Sequence, residues 1–290
     1  MNILVTGANG QLGSEIRDLA TNFIELNLVF KDLPDLDICN FLELEKFVIK
    51  NKVEAIINCA AYTAVDKAEE DSAIAQKVNA EGVLNLVKAL KKTDGKLIHI
   101  STDYVFNGEC FVPYKETDPV SPIGVYGDTK REGELSVIDS DIDGIVIRTS
   151  WLYSSYGNNF VKTMLRLGKD RDELGVIFDQ VGTPTYAKDL ALTCLRVLSN
   201  SKGNKISLKG KLYHFSNEGV ASWYDFAKAI MQIGNVNCNV KPIETKDYPT
   251  PAKRPHFSVL NKSKVKNDFG IEIPYWKDSL EECLLKLKNK

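Results

Sequence analysis

Residues 2–13, Asn2-Ile3-Leu4-Val5-Thr6 running straight into Gly7-Ala8-Asn9-Gly10-Gln11-Leu12-Gly13, decide the fold. The first part is a strand-sized apolar run with β-branched residues. The second is a glycine-rich turn spaced GxxGxxG. Its glycines permit a tight turn and close approach of the backbone to a pyrophosphate, whose charge then faces the N-terminus of the next helix. That helix is visible in Leu12, Ile16, Leu19 and Ala20, which share one face. A glycine-rich loop alone is a weak signal, but a strand before it and a helix after it make it a specific one.

Working outward, strands are expected at 3–6, 26–30, 53–58, 96–101 and 144–149. Between them lie amphipathic stretches: Phe41, Leu44 and Val48, then Val83, Leu84, Val87 and Leu90. Strands alternating with helical crossovers of this length predict a parallel, doubly wound sheet. The second strand ends at Asp32, nineteen residues past Gly13, where such folds place a carboxylate against the adenosine ribose. An acid there favours NAD by repelling a 2′-phosphate, whereas Lys31 beside it favours NADP, so the choice between NADH and NADPH stays open.

After about residue 150 the alternation breaks down. Helices are expected near Phe160, Met164 and Leu165, over 188–198, over 223–233 behind a Ser222 N-cap, and over 276–287, with 203–210 a polar turn region. Pro249-Thr250-Pro251-Ala252-Lys253-Arg254-Pro255 reads as extended, since each proline biases its predecessor out of the helical region. The fold class is therefore α/β: a Rossmann-type doubly wound parallel sheet in residues 1–150, continued by 183–203, with a smaller C-terminal substrate-binding lobe from 151–182 and 213–290.

Composition excludes several functions. The 290 residues carry 37 basic and 39 acidic side chains, a net charge of −2, with 43% hydrophobic and 26% charged residues. That balance gives no bulk field for nucleic acid or anionic lipid. No apolar run approaches the ~20 residues that span a bilayer, and a strand at residue 2 leaves no room for a signal peptide. The expectation is a soluble, cytoplasmic, globular protein. Six scattered cysteines without a Cys-x-x-Cys pair read as buried thiols in a reducing compartment. The three histidines, His99, His214 and His256, are not at ligand spacing, and His99, inside an apolar run, reads as a packed side chain rather than a base. No metal ligands are assigned.

The chemistry-bearing pattern is Tyr126-Gly127-Asp128-Thr129-Lys130, with Tyr and Lys one helical turn apart on one face. A protonated amine beside a phenol favours the phenolate, so the spacing predicts a Tyr126 pKa below the ordinary value of about 10. Such a tyrosine exchanges protons near neutral pH. The pattern follows a strand ending in Ser101-Thr102-Asp103-Tyr104-Val105-Phe106, and Thr102 there offers a hydroxyl to a substrate carbonyl.

With these segments in place the chain resembles an extended short-chain dehydrogenase/reductase, and within that superfamily the dTDP-4-dehydrorhamnose reductases, over residues 1–285. The most specific segments are Asn58-Cys59-Ala60-Ala61-Tyr62-Thr63-Ala64-Val65-Asp66-Lys67-Ala68-Glu69, residues 101–106, Arg148-Thr149-Ser150-Trp151, Gly157-Asn158-Asn159-Phe160 and residues 251–255. Cys59 departs from the alanine more usual in that family. The resemblance implies cofactor contacts from Gly7, Gly10, Gln11, Leu12, Gly13, Asp32, Asp37, Ile38, Ala61, Tyr62 and Thr63. It implies catalysis by Thr102, Tyr126 and Lys130, with Lys130 also on the nicotinamide ribose and Asn79 supporting the lysine. Sugar contacts fall to Thr102, Asp103 and Trp151, and Asn159 either bonds the nucleotide or caps a helix. Arg254, whose guanidinium matches phosphate oxygens, is the candidate for the substrate's diphosphate.

The implied reaction is NAD(P)H-dependent reduction of the C4 keto group of dTDP-4-dehydro-L-rhamnose. The family is also associated with Mg2+, for which Glu281 and Glu282 on the last helix either serve or form a solvated face, and with monomers or homodimers. Two alternatives stay open: a reductase of another dTDP-4-keto-6-deoxy sugar, and a non-catalytic NADP-binding module like the regulatory subunit of methionine adenosyltransferase. Tyr104, where 4,6-dehydratases carry a glutamate, removes the acid/base that dehydration needs, and the 4-epimerases have a different strand-end motif.

Overall fold

A computed structural model describes residues 1–201 and 207–289. In chain order the first half holds β1 (Asn2–Thr6), α1 (Gln11–Leu19), β2 (Asn27–Phe30), α2 (Phe41–Lys50), β3 (Ala55–Asn58), α3 (Val65–Ala68), α4 (Ser72–Gln76), α5 (Gly82–Leu90), β4 (Lys96–Thr102), α6 (Val125–Ile138) and β5 (Asp143–Thr149). The second half holds β6 (Leu152–Tyr153), α7 (Phe160–Asp170), β7 (Glu173–Ile177), β8 (Val181–Gly182), β9 (Thr185–Tyr186), α8 (Ala187–Ser201), β10 (Lys211–His214), β11 (Ala221–Ser222), α9 (Trp223–Gly234), β12 (Asn239–Ile243), α10 (Ser263–Phe269) and α11 (Trp276–Lys288).

The main sheet is parallel, in the order β10-β5-β4-β3-β1-β2. Its central strands are apolar on both faces because helices cover both. Ile3, Val5, Ile57, Ile98 and Ile147 pack against α1, α8 and α10 on one face. Leu4, Ile56, Leu97 and Val146 pack against α2 and α5 on the other. Each such fully buried side chain contributes about 1.5–3 kcal/mol relative to exposure.

The sixth strand corrects the expected division of the chain. β10 lies in the main sheet, so a lobe beginning at 213 would cut through a strand. Val265 and Phe269 of α10 also pack into the sheet's core. A four-residue edge strand with lysine and histidine at its ends carries too little apolar signal to be read in advance. Residues 202–206, which include the end of the expected 183–203 continuation and much of the 203–210 turn, lie outside the described residues.

The lobe is built on α7, α9 and α11 with the parallel β7–β12 pair. Its core joins Tyr153, Phe226, Ile230, Trp276 and Leu280. Ser222 caps α9 in a reciprocal box with Asp225. The last helix is tied to the first: Glu15, fully buried on α1, accepts from Lys286 Nζ at 2.6 Å and from Ser154 Oγ at 2.5 Å. Among the described residues no helix is long and apolar enough to cross a membrane.

Candidate active site

Strand order reverses at β1, which opens a crevice beyond its C-terminal end. Two loops face each other there. Gly7, at φ +61°, turns the chain after β1, and a Cβ at Gly7 would lie 2.6 Å from the Ala60 nitrogen in the loop after β3. At Gly13 a Cβ would strike the Gly7 carbonyl oxygen at the same distance. Glycine is therefore required at both positions by close backbone approach. Gly10 is the N-cap of α1 and supplies no side chain, so the first amides of the helix face the crevice.

The crevice consists of two adjoining cavities, both lined by Gly10, Cys59 and Ala61. The first, of about 410 Å³, is lined also by Gly7, Asp32, Asp37, Ile38 and Tyr62. Asp32 braces the turn there, accepting from the amides of Asn9 and Leu33, each at 2.8 Å. Its neighbour Lys31 is turned toward Asp35. The second cavity, of about 570 Å³, is lined by Gln11, Leu12, Thr63, Thr102, Asp103, Tyr126, Lys130, Trp151 and Asn159. A cradle closed to any Cβ, a helix N-terminus and a strand-end carboxylate fit a dinucleotide, with the nicotinamide end directed toward Tyr126 and Lys130.

Thr102 ends β4, and its hydroxyl donates to Asp103 Oδ1 at 3.0 Å. It also lies in hydrogen-bonding reach of Tyr126 and pulls that phenol's pKa down. Burial and the neighbouring Asp103 act the other way and win, so Tyr126 is pushed up to about 12. This corrects the expectation of a lowered value. Lys130 does not reach the phenol; its Nζ donates to the Ile100 carbonyl at 2.6 Å and lies 3.5 Å from His99 Nε2. Tyr126 is thus held as a neutral phenol, the form that donates a proton. Burial lowers Lys130 to about 8, offset only by Glu134 one turn along the helix.

Asp103 is 2% exposed, and burial pushes it up to about 6 against the Thr102 and Ser258 hydroxyls. Its Oδ2 has no hydrogen-bond partner among the described residues. Trp151 stands at φ +49° and stacks on Trp223, ring centroids 3.6 Å apart, as part of the pocket wall. The lobe thereby contributes a flat aromatic face to the site.

Two expected contacts turn out differently, and Asn159 takes one of its two expected roles. Asn79 does not hold the lysine: its amide bonds the Tyr62 N–H and C=O and the Thr129 hydroxyl. Asn79 lies in the π-helical turn Lys77–Glu81, and these bonds tie it to the loop after β3. Arg254 is not a free cation. Both terminal nitrogens bond Asp66, at 3.0 and 2.7 Å, and it is absent from the walls of both cavities. Asn159 caps α7 through Lys162 N–H and donates to Gln11 Oε1 and to the carbonyls of Ser154 and Tyr156. Tyr104, Ser150 and Asn158 also line the pocket; they lie within the segments that carry the resemblance, but nothing in their spacing assigns them a role.

Glu282 is paired with Lys188, and among the described residues no group of three His, Cys, Asp or Glu side chains is placed to hold a metal ion.

The doubly wound sheet, the glycine cradle and a Thr–Tyr–Lys set at the strand ends define an NAD(P)-dependent oxidoreductase of the short-chain dehydrogenase/reductase type. The chain belongs to the dTDP-4-dehydrorhamnose reductase family: the profile described as RmlD substrate binding domain matches residues 1–289. A dTDP-4-dehydrorhamnose reductase of Aggregatibacter actinomycetemcomitans is 42% identical over 286 residues, 96% of this chain and 97% of that one. The crystal structure of such a reductase from Clostridium acetobutylicum superposes with TM-score 0.93 at 44% identity, covering 99% of this chain and 100% of that one. Another, from Bacillus anthracis in complex with NADP, gives TM-score 0.92 at 38% identity, covering 98% and 99%.

Proposed function

We propose that this chain reduces the C4 keto group of dTDP-4-dehydro-L-rhamnose with NAD(P)H, giving dTDP-L-rhamnose, a precursor of surface polysaccharide. The observation that carries the reading is the half-buried Tyr126 phenol beside the Thr102 hydroxyl in a pocket that adjoins the dinucleotide cradle. A reduced nicotinamide supplies the hydride. The protein's part is to place the keto oxygen between Thr102, which polarises it by a hydrogen bond, and Tyr126, which protonates it. Lys130 serves the nicotinamide ribose, and Asp32, Asp37, Ile38, Ala61, Tyr62 and Thr63 hold the adenosine and pyrophosphate end. Asp103 and Trp151 contact the sugar; the unpartnered Asp103 oxygen supports a ligand hydroxyl donating to it. The sheet domain carries the cofactor, and the lobe closes over the sugar nucleotide in the cytoplasm.

The test follows nicotinamide absorbance with dTDP-4-dehydrorhamnose, made in situ by an upstream epimerase, and NADPH or NADH in separate cuvettes. Consumption with dTDP-L-rhamnose as product supports the reaction and orders the two cofactors. Cofactor binding without consumption turns the reading toward a binding module or another keto sugar.

A further inference from the structure

One face of the sheet changes character toward its C-terminal end. Register aligns Leu4, Ile56 and Leu97 in one row across β1, β3 and β4, and Thr6, Asn58 and His99 in the next. The first row is apolar. The second is polar and as deeply buried, with Thr6, Asn58 and His99 at 2%, 1% and 0% exposure. Thr6 Oγ1 donates to Asn58 Oδ1 at 2.6 Å, and Asn58 Nδ2 lies 3.0 Å from His99 Nδ1. His99 Nε2 in turn lies 3.5 Å from Lys130 Nζ on α6. The row ends at the lysine of the site.

The hydrogen-bond sense along this row is fixed. Asn58 Oδ1 is identified by two donors, the Thr6 hydroxyl and the main-chain N–H of Ala60 at 3.2 Å. A flipped amide would set NH2 against that N–H. Asn58 therefore presents its amide nitrogen to the ring, an amide nitrogen only donates, and His99 Nδ1 must accept. The proton of the neutral ring is then on Nε2, aimed at Lys130. An ammonium facing that N–H has no acceptor there, whereas a neutral amine offers its lone pair. Protonating the ring does not relieve the conflict, because burial and Lys130 both oppose a charge on His99.

We propose that His99, its tautomer fixed by Asn58, is a positioning residue that presents an N–H to Lys130 and so favours the neutral amine over the ammonium. The other groups around the lysine are accounted for. Glu134 on α6 favours the ammonium, but its carboxylate is held by Arg148 of β5 and by Arg131. Asp66 of α3 is held by Arg254. Tyr126 on α6 and Tyr104 after β4 are neutral phenols, and Asp103 is the remaining acid nearby. The inference deepens the reading of the same site: burial already lowers Lys130 to about 8, and the His99 N–H acts in the same direction.

The test uses the full chain without cofactor or substrate, so it stands or falls apart from the reductase activity. Long-range 1H–15N spectra of the three histidines report ring protonation, with His99 assigned by its loss in His99→Phe. Lysine 15Nζ or 13Cε titration reports Lys130, assigned by Lys130→Met. The expected result is a neutral, Nε2-protonated His99 at pH 7 and a Lys130 midpoint well below those of the surface lysines. Asn58→Asp replaces the donating amide by an acceptor, moves the ring proton to Nδ1 and turns the Nε2 lone pair on Lys130. Its Lys130 midpoint should rise by at least about one pH unit, a tenfold fall in the ratio of neutral amine to ammonium. An Nδ1-protonated or charged ring in the unmodified protein overturns the proposal, whether or not the variant folds. So does an unmoved Lys130 midpoint in a folded Asn58→Asp protein.

Discussion

Two buried carboxylates border α6, and they are opposites. Glu134, two turns along α6 from Tyr126 and absent from the cavity walls, accepts from Arg148 Nε and Nη2, each at 2.7 Å, and from Arg131 Nη1 at 2.8 Å. These cations hold its pKa below the usual carboxylate range despite full burial. Asp103, in the pocket wall, has hydroxyl neighbours but no cation among the groups that shift it, and one oxygen without a partner. Burial dominates there and the acid is pushed up to about 6. A fully partnered carboxylate pins the helix to the sheet; an incompletely partnered one keeps binding capacity at a cost in stability.

The contrast makes the same type of substitution give different outcomes. Glu134→Gln leaves a buried guanidinium without its carboxylate and should cost about 3–5 kcal/mol, read by denaturant unfolding at pH 7. That is the largest effect expected. A loss under about 1 kcal/mol would mean that Glu134 is no more structural than Asp103.

Tyr126→Phe, at the pocket end of the same helix, should move function instead. Turnover is expected to fall at least about 10²-fold, the usual scale for a lost general acid, with NADPH binding by fluorescence titration retained. Unchanged turnover would remove the phenol from the chemistry and with it the functional half of the contrast.

Asp103→Asn comes next. The folded pKa of Asp103, about 6, lies above an unfolded value near 3.9, so the folded state binds the extra proton in between. Its contribution is present below pH 4 and is lost as pH rises through 6. Glu134 has the opposite sign, contributing above its unfolded value of about 4.3 and losing that as pH falls through its lower folded value. At pH 7 Asp103→Asn should therefore unfold no more easily than the parent, and it should flatten the stability slope between pH 4 and 6. Weaker sugar-nucleotide binding in this variant at undiminished stability would place Asp103 on the ligand side. Destabilisation matching that of Glu134→Gln would end the distinction.

How much of this was legible depended on the range of the interactions. The first five strands are consecutive apolar runs between helices, so a local pattern identifies them, and β10 escapes because half of its four residues are polar. Thr102, Tyr126 and Lys130 enter one cavity because a strand end and a single helical turn place them, both local devices. Asn79 was placed by resemblance alone, and its partners, Tyr62 and Thr129, lie 17 and 50 residues away where no local pattern shows them. The His99–Lys130 approach is equally hidden, since it depends on register across three strands. Arg254 was read as free because Asp66 lies 188 residues away.

That last pair sets the lower end of the scale. Asp66 and Arg254 are 40% and 22% exposed, so solvent screens them in a way it cannot screen Glu134 and Arg148. The geometry is nevertheless bidentate, and Asp66 also accepts from the Ala252 N–H at 3.2 Å, which fastens the proline-rich segment to α3. The guanidinium holds Asp66 below the usual carboxylate range, so the link is present at neutral pH and weakens as pH falls through that lowered value. Asp66→Asn keeps the Ala252 acceptor and removes the charge together with one of the two acceptors facing Arg254. Its cost should stay within about 1 kcal/mol at pH 7 and shrink further with added salt. A loss of several kcal/mol, insensitive to salt, would show that exposure does not separate the two arginine–carboxylate pairs and that the segment over α3 is as much a structural pin as Glu134.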